Sequence, residues 1–347
     1  MKPWNLLKRL WQEDRAATAA LVALLITSLV GFTALAVDLG MLLTAKAQVQ
    51  NAADSAALAA VDTMLAMDAQ QNTIAQPTVA LESAETFSSA NQAMGVSLNL
   101  KDPPGDDFII GYWDPEAGDF DYNRTGLGIS NPDDLTGVRV TVRRDEQANT
   151  PVSTIFAKIM GVSEVAVKAT STAFLGYPGK VPKGAMLMPI AVSRSLATNG
   201  DGPNCGEELS IGQTSGSYWT SFFTWPASNP NVDDYACGCL KSPEVKVGDS
   251  INITNGNLSN NTFGDLQDLF NAHETGGQWN VILPVIEDGY SHGSAPVVGF
   301  AAFTVTEVNK APQKNVIGVL ACGIMVPNST TGGQNFGARA STGKMAR

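Results

Sequence analysis

The chain has 347 residues, enough for one large domain or two medium domains with real cores. Charged residues make up 16% of the sequence, which excludes a coiled coil and highly charged disorder. The net charge of -11 at pH 7 argues against nucleic acid, or an anionic membrane surface, as the main partner.

A charge-free apolar run, AATAALVALLITSLVGFTALAV, spans residues 16–37. At about 1.5 Å per residue it forms a helix of roughly 33 Å, enough to cross a hydrocarbon core of about 30 Å. Residues 1–15 carry more basic than acidic side chains, and Asp38 opens the other flank. The positive-inside rule therefore predicts a cytoplasmic tail (1–15), a single-pass anchor (16–37) and an exported remainder.

Two other interpretations fit the same run. A cleaved signal peptide would use Ala34-Leu35-Ala36 as its cleavage site and release residues 37–347. The apolar run is longer than the usual signal-peptide core, and no turn-forming residue directly precedes that site. A fully buried helix of a soluble protein is the second alternative.

Beyond Asp38, small and apolar residues recur at heptad spacing. Alanine favours helix and lets another surface approach closely. We predict an alanine-rich stalk helix over residues 38–76, continuous with the anchor. It packs either on the chain's own ectodomain or on neighbouring subunits. Its predicted packing face comprises Leu42, Ala45, Val49, Ala52, Ala56 and Ala59.

The run DRAATAALVALLITSLVGFTALAVDLGMLLTAKAQVQNAADSAALAA, residues 14–60, resembles the N-terminal signature of the TadE/TadG-like proteins of Flp (Tad) pilus assembly. VDLG followed by QNAADSAALAA is its specific part. GVRVTVRR (137–144) and PVSTIFAKIMGVSEVAVKATSTAFLG (151–176) resemble the middle region of related proteins. The resemblance implies a protein of the bacterial inner membrane with a periplasmic or extracellular ectodomain. It would serve as a minor pilin-like or scaffold component, with pilus-assembly or pilin-like proteins, or further copies of itself, as partners.

Two features of related proteins are missing from the sequence. Members cut by a prepilin peptidase carry a glycine before the apolar run and a glutamate five residues into it. Here the first glycine is Gly31, and no acid lies between Asp14 and Asp38, so cleavage near Ala16 is not predicted. The larger TadG proteins carry a von Willebrand A domain with a D-x-S-x-S metal motif, which this sequence lacks, so no metal is predicted.

The exported part reads as α+β: a small α+β domain over residues 77–176, a linker over 177–184 and a mostly β domain over 185–326. Helices are predicted at 79–94 and 151–160, and the acidic segment 102–126 is predicted as a solvated loop. A sandwich or irregular barrel should follow, with one short helix at 263–272. The glycine-rich tail, 327–347, is predicted to be disordered. The strands of the mostly β domain are expected at 185–192, 245–253, 279–286, 297–308 and 316–326.

Four cysteines, all in the C-terminal half, are disulfide candidates in an exported chain: Cys205, Cys237, Cys239 and Cys322. Because Cys237 and Cys239 are so close in sequence, we expect each to bond to one of the other two. Zinc binding by the Cys237-x-Cys239 pair is the alternative, although that spacing is not a usual zinc-knuckle spacing.

Catalytic motifs are absent from the sequence, so neither an enzyme nor a cofactor is predicted. His273 and His292 fall in loop-like contexts. An aromatic cluster around SYWTSFFTWP is either core or an exposed face for a glycan or protein. Its candidate binding residues are Tyr218, Trp219, Phe222 and Trp225.

Two hypotheses follow. The first is a membrane-anchored structural component of pilus assembly. The second is a secreted or anchored adhesin or glycan-binding module that uses the aromatic face. The predicted packing face of the stalk helix, here called the alanine stripe, separates the two hypotheses. Contacts of this stripe with partner proteins would favour the pilus-assembly component, whereas burial of the stripe by the chain's own domain would favour the binding module.

Overall fold

The computed structural model describes residues 3–69, 71–101, 105, 107–114, 117–200, 202–212 and 214–346, with side chains from residue 18 onward. The chain is α+β, with one long N-terminal helix followed by a strand-rich remainder. The helices are α1 (Pro3–Thr63), α2 (Pro77–Ala90), α3 (Arg194–Ala197), α4 (Asn229–Ala236) and α5 (Asn260–His273), with 3-10 helices at Pro132–Asp134 and Ala157–Met160.

The strands of the described residues, in chain order, are β1 (Leu65–Met67), β2 (Thr73–Ala75), β3 (Gln92–Ala93), β4 (Val96–Ser97), β5 (Phe108–Asp114), β6 (Asp119–Thr125), β7 (Gly137–Arg144), β8 (Val152–Ser153), β9 (Glu164–Val165), β10 (Val167–Phe174), β11 (Tyr177–Val181), β12 (Ile190–Ser193), β13 (Glu208–Ile211), β14 (Ser217–Phe222), β15 (Val245–Lys246), β16 (Ser250–Thr254), β17 (Trp279–Ile286), β18 (Gly293–Asn309), β19 (Asn315–Ala321), β20 (Thr330–Gly333) and β21 (Lys344–Met345).

Helix α1 runs without a break through the apolar run and the alanine-rich stretch. It ends at Thr63, well before the predicted end at residue 76, because the chain then forms the β1–β2 hairpin. Asp68 closes the turn of that hairpin by accepting the backbone N–H of Asn72 at 2.8 Å. Helix α2 then begins with a proline at its first position, as the missing N–H of proline allows.

The chain divides into two compact units, each assembled from separate segments. The first comprises Met1–Ala53, Ser88–Lys101 and Thr141–Thr170, and the second comprises Asp54–Phe87, Asp102–Val140 and Ser171–Arg347. This interleaving differs from the serial order of domains expected from the sequence. Contacts between distant segments set it, and local composition carries no record of them.

One antiparallel sheet has the strand order β21-β10-β7-β5-β6. Strand β10 alternates between its two faces, with buried residues at Val167, Ala169, Ser171 and Ala173. The acidic segment, in contrast, is not a loop. Its described part forms the β5–β6 hairpin because Phe108, Ile110, Trp113 and Phe120 are all buried.

The largest sheet of the described residues has the order β13-β19-β18-β16-β14-β12-β17, and β17 also pairs with β18. The pairings β12–β14–β16–β18–β17–β12 therefore close a ring. Of the two architectures expected from the sequence, a sandwich or an irregular barrel, this ring is the irregular barrel. Strand β17 is buried on both faces: Val281, Leu283 and Val285 enter one hydrophobic cluster, while Ile282 and Ile286 enter another.

The predicted linker and the predicted disordered tail are both wrong, because they pair with each other. Strand β11 lies between β15 and β20 in a three-stranded sheet. The glycines serve close backbone approach: a Cβ added at Gly333 would stand 2.1 Å from the carbonyl oxygen of Pro178. Phe336, Ala338 and Ala340, farther along the tail, are buried.

The helix predicted over residues 151–160 is also wrong in extent. The segment contains strand β8 and only a short 3-10 helix, Ala157–Met160. Gly161, in the left-handed conformation at φ 88°, ends that helix. The predicted helix at 263–272, in contrast, is present as the longer α5.

Candidate functional site

The apolar part of α1 is bare. Each described side chain from Thr18 to Thr33 is exposed, with Phe32 at 74%. The hydroxyl groups of Thr27, Ser28 and Thr33 donate to carbonyl oxygens of the same helix, Ser28 to Leu24 at 2.8 Å. Among the described residues, α1 is the one helix long and apolar enough to cross a membrane. An uncovered apolar surface with internally satisfied polar groups suits hydrocarbon and not water.

Asp38 marks the end of this bare region. Its side chain is only 3% exposed, and its carboxylate accepts three backbone N–H groups. The donors are Ile155 at 2.9 Å, Phe156 at 3.0 Å and Ala157 at 2.6 Å. These N–H groups lie at the start of the 3-10 helix, where backbone donors have no partner inside the helix. Asp38 therefore fixes a distant loop beside the point where α1 leaves its apolar run.

The predicted packing face of α1 is covered by the chain itself. Ala45, Val49, Ala52 and Ala56 are fully buried, while Leu42 and Ala59 are half-buried. In the first unit, Lys46 donates to the carbonyl oxygen of Lys168, and Gln48 accepts the backbone N–H of Met94 at 2.9 Å.

The later turns of α1 are held in the second unit in the same way. There, Asp54 accepts the hydroxyl of Ser171, and Asp62 accepts the backbone N–H of Gly343 at 2.6 Å. In both units the contacts pair a polar group of α1 with a partner far along the chain.

The uncovered side of α1 carries a leucine ridge, defined as Leu35, Leu39 and Leu43. These residues follow one another at four-residue spacing and are all exposed, Leu43 at 62%. The ridge continues past Asp38, so part of it stands beyond the end of the apolar run. The packing face predicted from the sequence is the alanine stripe, and the ridge is not part of it.

The four cysteines form two disulfides, Cys205–Cys322 and Cys237–Cys239. The first joins the loop before β13 to the residue after β19, two strands that pair with each other. The expectation that Cys237 and Cys239 each bond elsewhere is wrong, because Gly238 adopts φ 69° and folds the chain sharply. Their Cα atoms are 5.3 Å apart, within the range of a disulfide.

The four candidate binding aromatics do not form one exposed face. Trp219 and Phe222 are buried in different hydrophobic clusters, and Tyr218 is half-buried against one of them. Trp219 makes an edge contact with the ring of Phe263 at 5.5 Å. Trp225 alone of the four is exposed, at 69%, and its exposed neighbour is Phe223.

No group of three or more metal-binding side chains occurs among the residues that the structure describes. His273 and His292 are exposed, and the ring of His273 stacks on Trp279 at 5.5 Å. His273 Nδ1 lies 2.9 Å from the carbonyl oxygen of Leu269, and His292 Nδ1 lies 3.1 Å from the hydroxyl oxygen of the adjacent Ser291.

A cleft of about 470 Å³ lies in the second unit. Its walls include Tyr112, Trp113 and Tyr177, and burial raises the pKa of the Tyr177 hydroxyl. Arg339 lines it and donates to the carbonyl oxygens of Pro132 at 3.1 Å and Leu135 at 3.2 Å.

This cleft was not predicted from the sequence, because the tail that lines it was expected to be disordered. The spacing of Phe336, Ala338 and Ala340 is strand-like and was the signal available.

Comparison with protein-family models gives a match in the N-terminal part of the chain. Residues 16–70 match the model of the Tad family, described as "Putative Flp pilus-assembly TadE/G-like". The match confirms the resemblance noted over residues 14–60 and covers the bare apolar run, Asp38 and the covered stripe. No curated protein and no solved structure matches the chain.

Proposed function

We propose that this protein is a membrane-anchored structural component of Tad/Flp-type pilus assembly, minor pilin-like or scaffold in role. The observation that carries the proposal is α1 itself. A single unbroken helix joins an exposed apolar run to a packed segment, and the Tad match covers that same stretch. Its role would be carried by packing, through α1 and the contacts of the ectodomain.

The proposed location is the bacterial inner membrane, with a cytoplasmic N-terminus and a periplasmic or extracellular ectodomain. The basic character of residues 1–15 supports this orientation. Two disulfides support an oxidising compartment for the ectodomain.

The leucine ridge is the proposed contact with pilus-assembly or pilin-like proteins, or with a second copy. The alanine stripe cannot serve that purpose in this conformation, because its central residues are fully buried. The ridge presents large apolar side chains on the open side of the helix, where a neighbouring helix could pack against them.

The alternative function is an adhesin or glycan-binding module. The chain's own domain buries the alanine stripe, and burial of that kind was the result expected for a binding module. The buried positions of Trp219 and Phe222 weigh against it, because only Phe223 and Trp225 of that cluster remain exposed for stacking on a sugar.

The experiment combines deletion with site-specific crosslinking in the native bacterium. A photoreactive amino acid replaces Leu43, and the matched control replaces Val247, which is exposed on the ectodomain. We expect loss of pili on deletion, and adducts with pilus-assembly or pilin-like proteins from position 43 alone. Normal piliation in the deletion strain, together with no protein adduct at position 43, would overturn the proposal.

Intact-mass measurement on separated membrane and soluble fractions tests the anchor. A full-length, membrane-bound chain is expected. A soluble chain that begins at Val37 would instead support signal-peptide cleavage and the binding module.

A further inference from the structure

We propose that the segment Ile155–Val162, here called the apolar loop, inserts into the ectodomain-side leaflet of the bilayer that α1 crosses. It would form a second membrane contact, fixed to the anchor by Asp38. The proposal depends on the membrane anchor and not on a role in pilus assembly.

The apolar loop exposes a surface that is costly in water. Ile159 is 86% exposed and Met160 is 82% exposed, values unusual for large apolar side chains standing together. The remaining large apolar residues of the loop are also exposed: Ile155, Phe156 and Val162.

The loop's position matches the membrane surface. Asp38, which directly follows the apolar run, holds three backbone N–H groups of the loop. Phe156 lines a small cavity together with Val30, Ala34 and Val37, all on the membrane side of Asp38. Val30 precedes Asp38 by about 12 Å along the helix axis, so the loop lies at the depth of the headgroup and acyl boundary.

The backbone of the apolar loop is prepared for hydrocarbon. The N–H groups of Ile159, Gly161 and Val162 each donate to a carbonyl of the same loop at 3.0 Å. At its base, the N–H of Thr154 donates to the carbonyl of Ser163 at 3.0 Å.

The three N–H groups at the start of the loop have Asp38 as their acceptor. Six of the eight backbone N–H groups of the loop therefore have an acceptor within the protein, and these can leave water without the cost of unpaired donors. Lys158 is the one charged residue of the loop, and its long side chain can reach the headgroup level.

Lipid is the occupant we assign to this surface. The apolar surface of the loop adjoins that of residues 18–37 of α1 at Phe156. The lipid that surrounds the helix would therefore also contact the loop. A neighbouring protein helix is the competing occupant, and the test below separates it from lipid and from water.

The test uses spin labels on the full-length protein in liposomes. Met160→Cys and the control Val247→Cys are labelled separately; both positions are exposed, so folding is undisturbed, and the native cysteines are paired. Collision rates with oxygen and with a polar nickel chelate are measured. A polar chelate is excluded from hydrocarbon at a cost of at least about 1.4 kcal/mol, so the oxygen-to-nickel ratio at position 160 should exceed that at 247 by about tenfold or more.

Two results would overturn the proposal. Equal ratios at positions 160 and 247 would place the loop in water. Low collision rates with both reagents at 160 would place it against protein.

The role of Asp38 is tested in the same labelled protein with Asp38→Ala. Loss of the three acceptors should raise nickel collisions at position 160 severalfold while leaving position 247 unchanged. An unchanged nickel collision rate at 160 would show that Asp38 does not fix the loop.

Discussion

At the scale of single residues, Asp38 makes a long-range contact that its sequence motif does not indicate. Its place in VDLG marks the end of the apolar run, and from the sequence it was used only to predict orientation. In the structure its carboxylate holds a loop that begins 117 residues later in the chain. No local pattern reports a partner at that distance. Residues 151–160 do not form the predicted helix because Val152–Ser153 pair with β9. Helical structure begins only at Ala157, where Asp38 accepts the N–H groups at the helix start.

Arg144 is a second residue whose role depends on distant partners. It is almost fully buried, and its guanidinium donates to the carbonyl oxygens of Ala93 at 2.9 Å, Thr150 at 3.0 Å and Pro151 at 3.2 Å. Burial lowers the pKa of Arg144, yet the group remains charged at neutral pH. Arginine suits this site because its planar fork can serve several carbonyls at once.

We expect Arg144→Met to reduce the free energy of unfolding by about 2–4 kcal/mol, because it leaves buried carbonyl oxygens without donors. The matched control is Lys168→Met, at an exposed position of β10, with a change within about 0.5 kcal/mol. Urea unfolding of the detergent-solubilised protein measures both. Similar midpoints for the two variants would show that the carbonyl oxygens find other donors.

At the scale of elements, α1 carries a buried surface, the alanine stripe, and an exposed surface, the leucine ridge. Only the first was predicted from the sequence. Alanine at heptad spacing predicts a packed face, and the structure buries most of that face. The sequence left open whether the cover is the same chain or a partner, because alanine is equally suited to both. Burial by the described part of the same chain answers the question for the stripe and draws attention to the leucine ridge instead.

A pair of substitutions on α1 tests this division. Ala52 is fully buried, whereas Ala47 is exposed, and leucine has nearly the helix propensity of alanine. We expect Ala52→Leu to destabilise the protein by about 1–3 kcal/mol through overpacking, and Ala47→Leu to change stability by less than about 0.5 kcal/mol. Thermal unfolding followed by circular dichroism gives the comparison. A stable Ala52→Leu variant would mean that the stripe is not covered by its own chain in solution.

Elements with strong local patterns were predictable. Strand β17 is apolar on both faces and was predicted with its observed ends, Trp279–Ile286. The β5–β6 hairpin and the C-terminal strands were missed because charged and glycine-rich residues dominate their composition. In β20 the glycines allow the backbone of β11 to approach closely, and composition alone does not distinguish that use from flexibility.

At the scale of the whole molecule, the order of segments along the chain does not give the order in space. Strands β7 and β10 each cross from one compact unit to the other along their length. Tail strands pair with segments more than 150 residues earlier, as between Thr331 and Pro178. Pairings at such separation depend on the completed fold, and neither hydrophobic period nor turn residues identify the partner strand.

The two disulfides bear unequally on the stability of the molecule. Cys205–Cys322 closes a loop with a sequence separation of 117, whereas Cys237–Cys239 closes one of 2. A cross-link stabilises chiefly by restricting the unfolded chain, and the restriction grows with loop length. The first bond is therefore the one on which an exported ectodomain depends.

We expect the double variant Cys205→Ser/Cys322→Ser to lose about 4 kcal/mol of unfolding free energy, and Cys237→Ser/Cys239→Ser less than about 2 kcal/mol. Urea unfolding of the full-length protein under non-reducing conditions tests this, with each double variant as the control for the other. Equal losses would indicate that strand pairing between β13 and β19 holds that region without the bond. A larger loss from the 237–239 pair would instead assign the tight turn after α4 a structural role beyond its loop length, with Gly238 as the residue to change next.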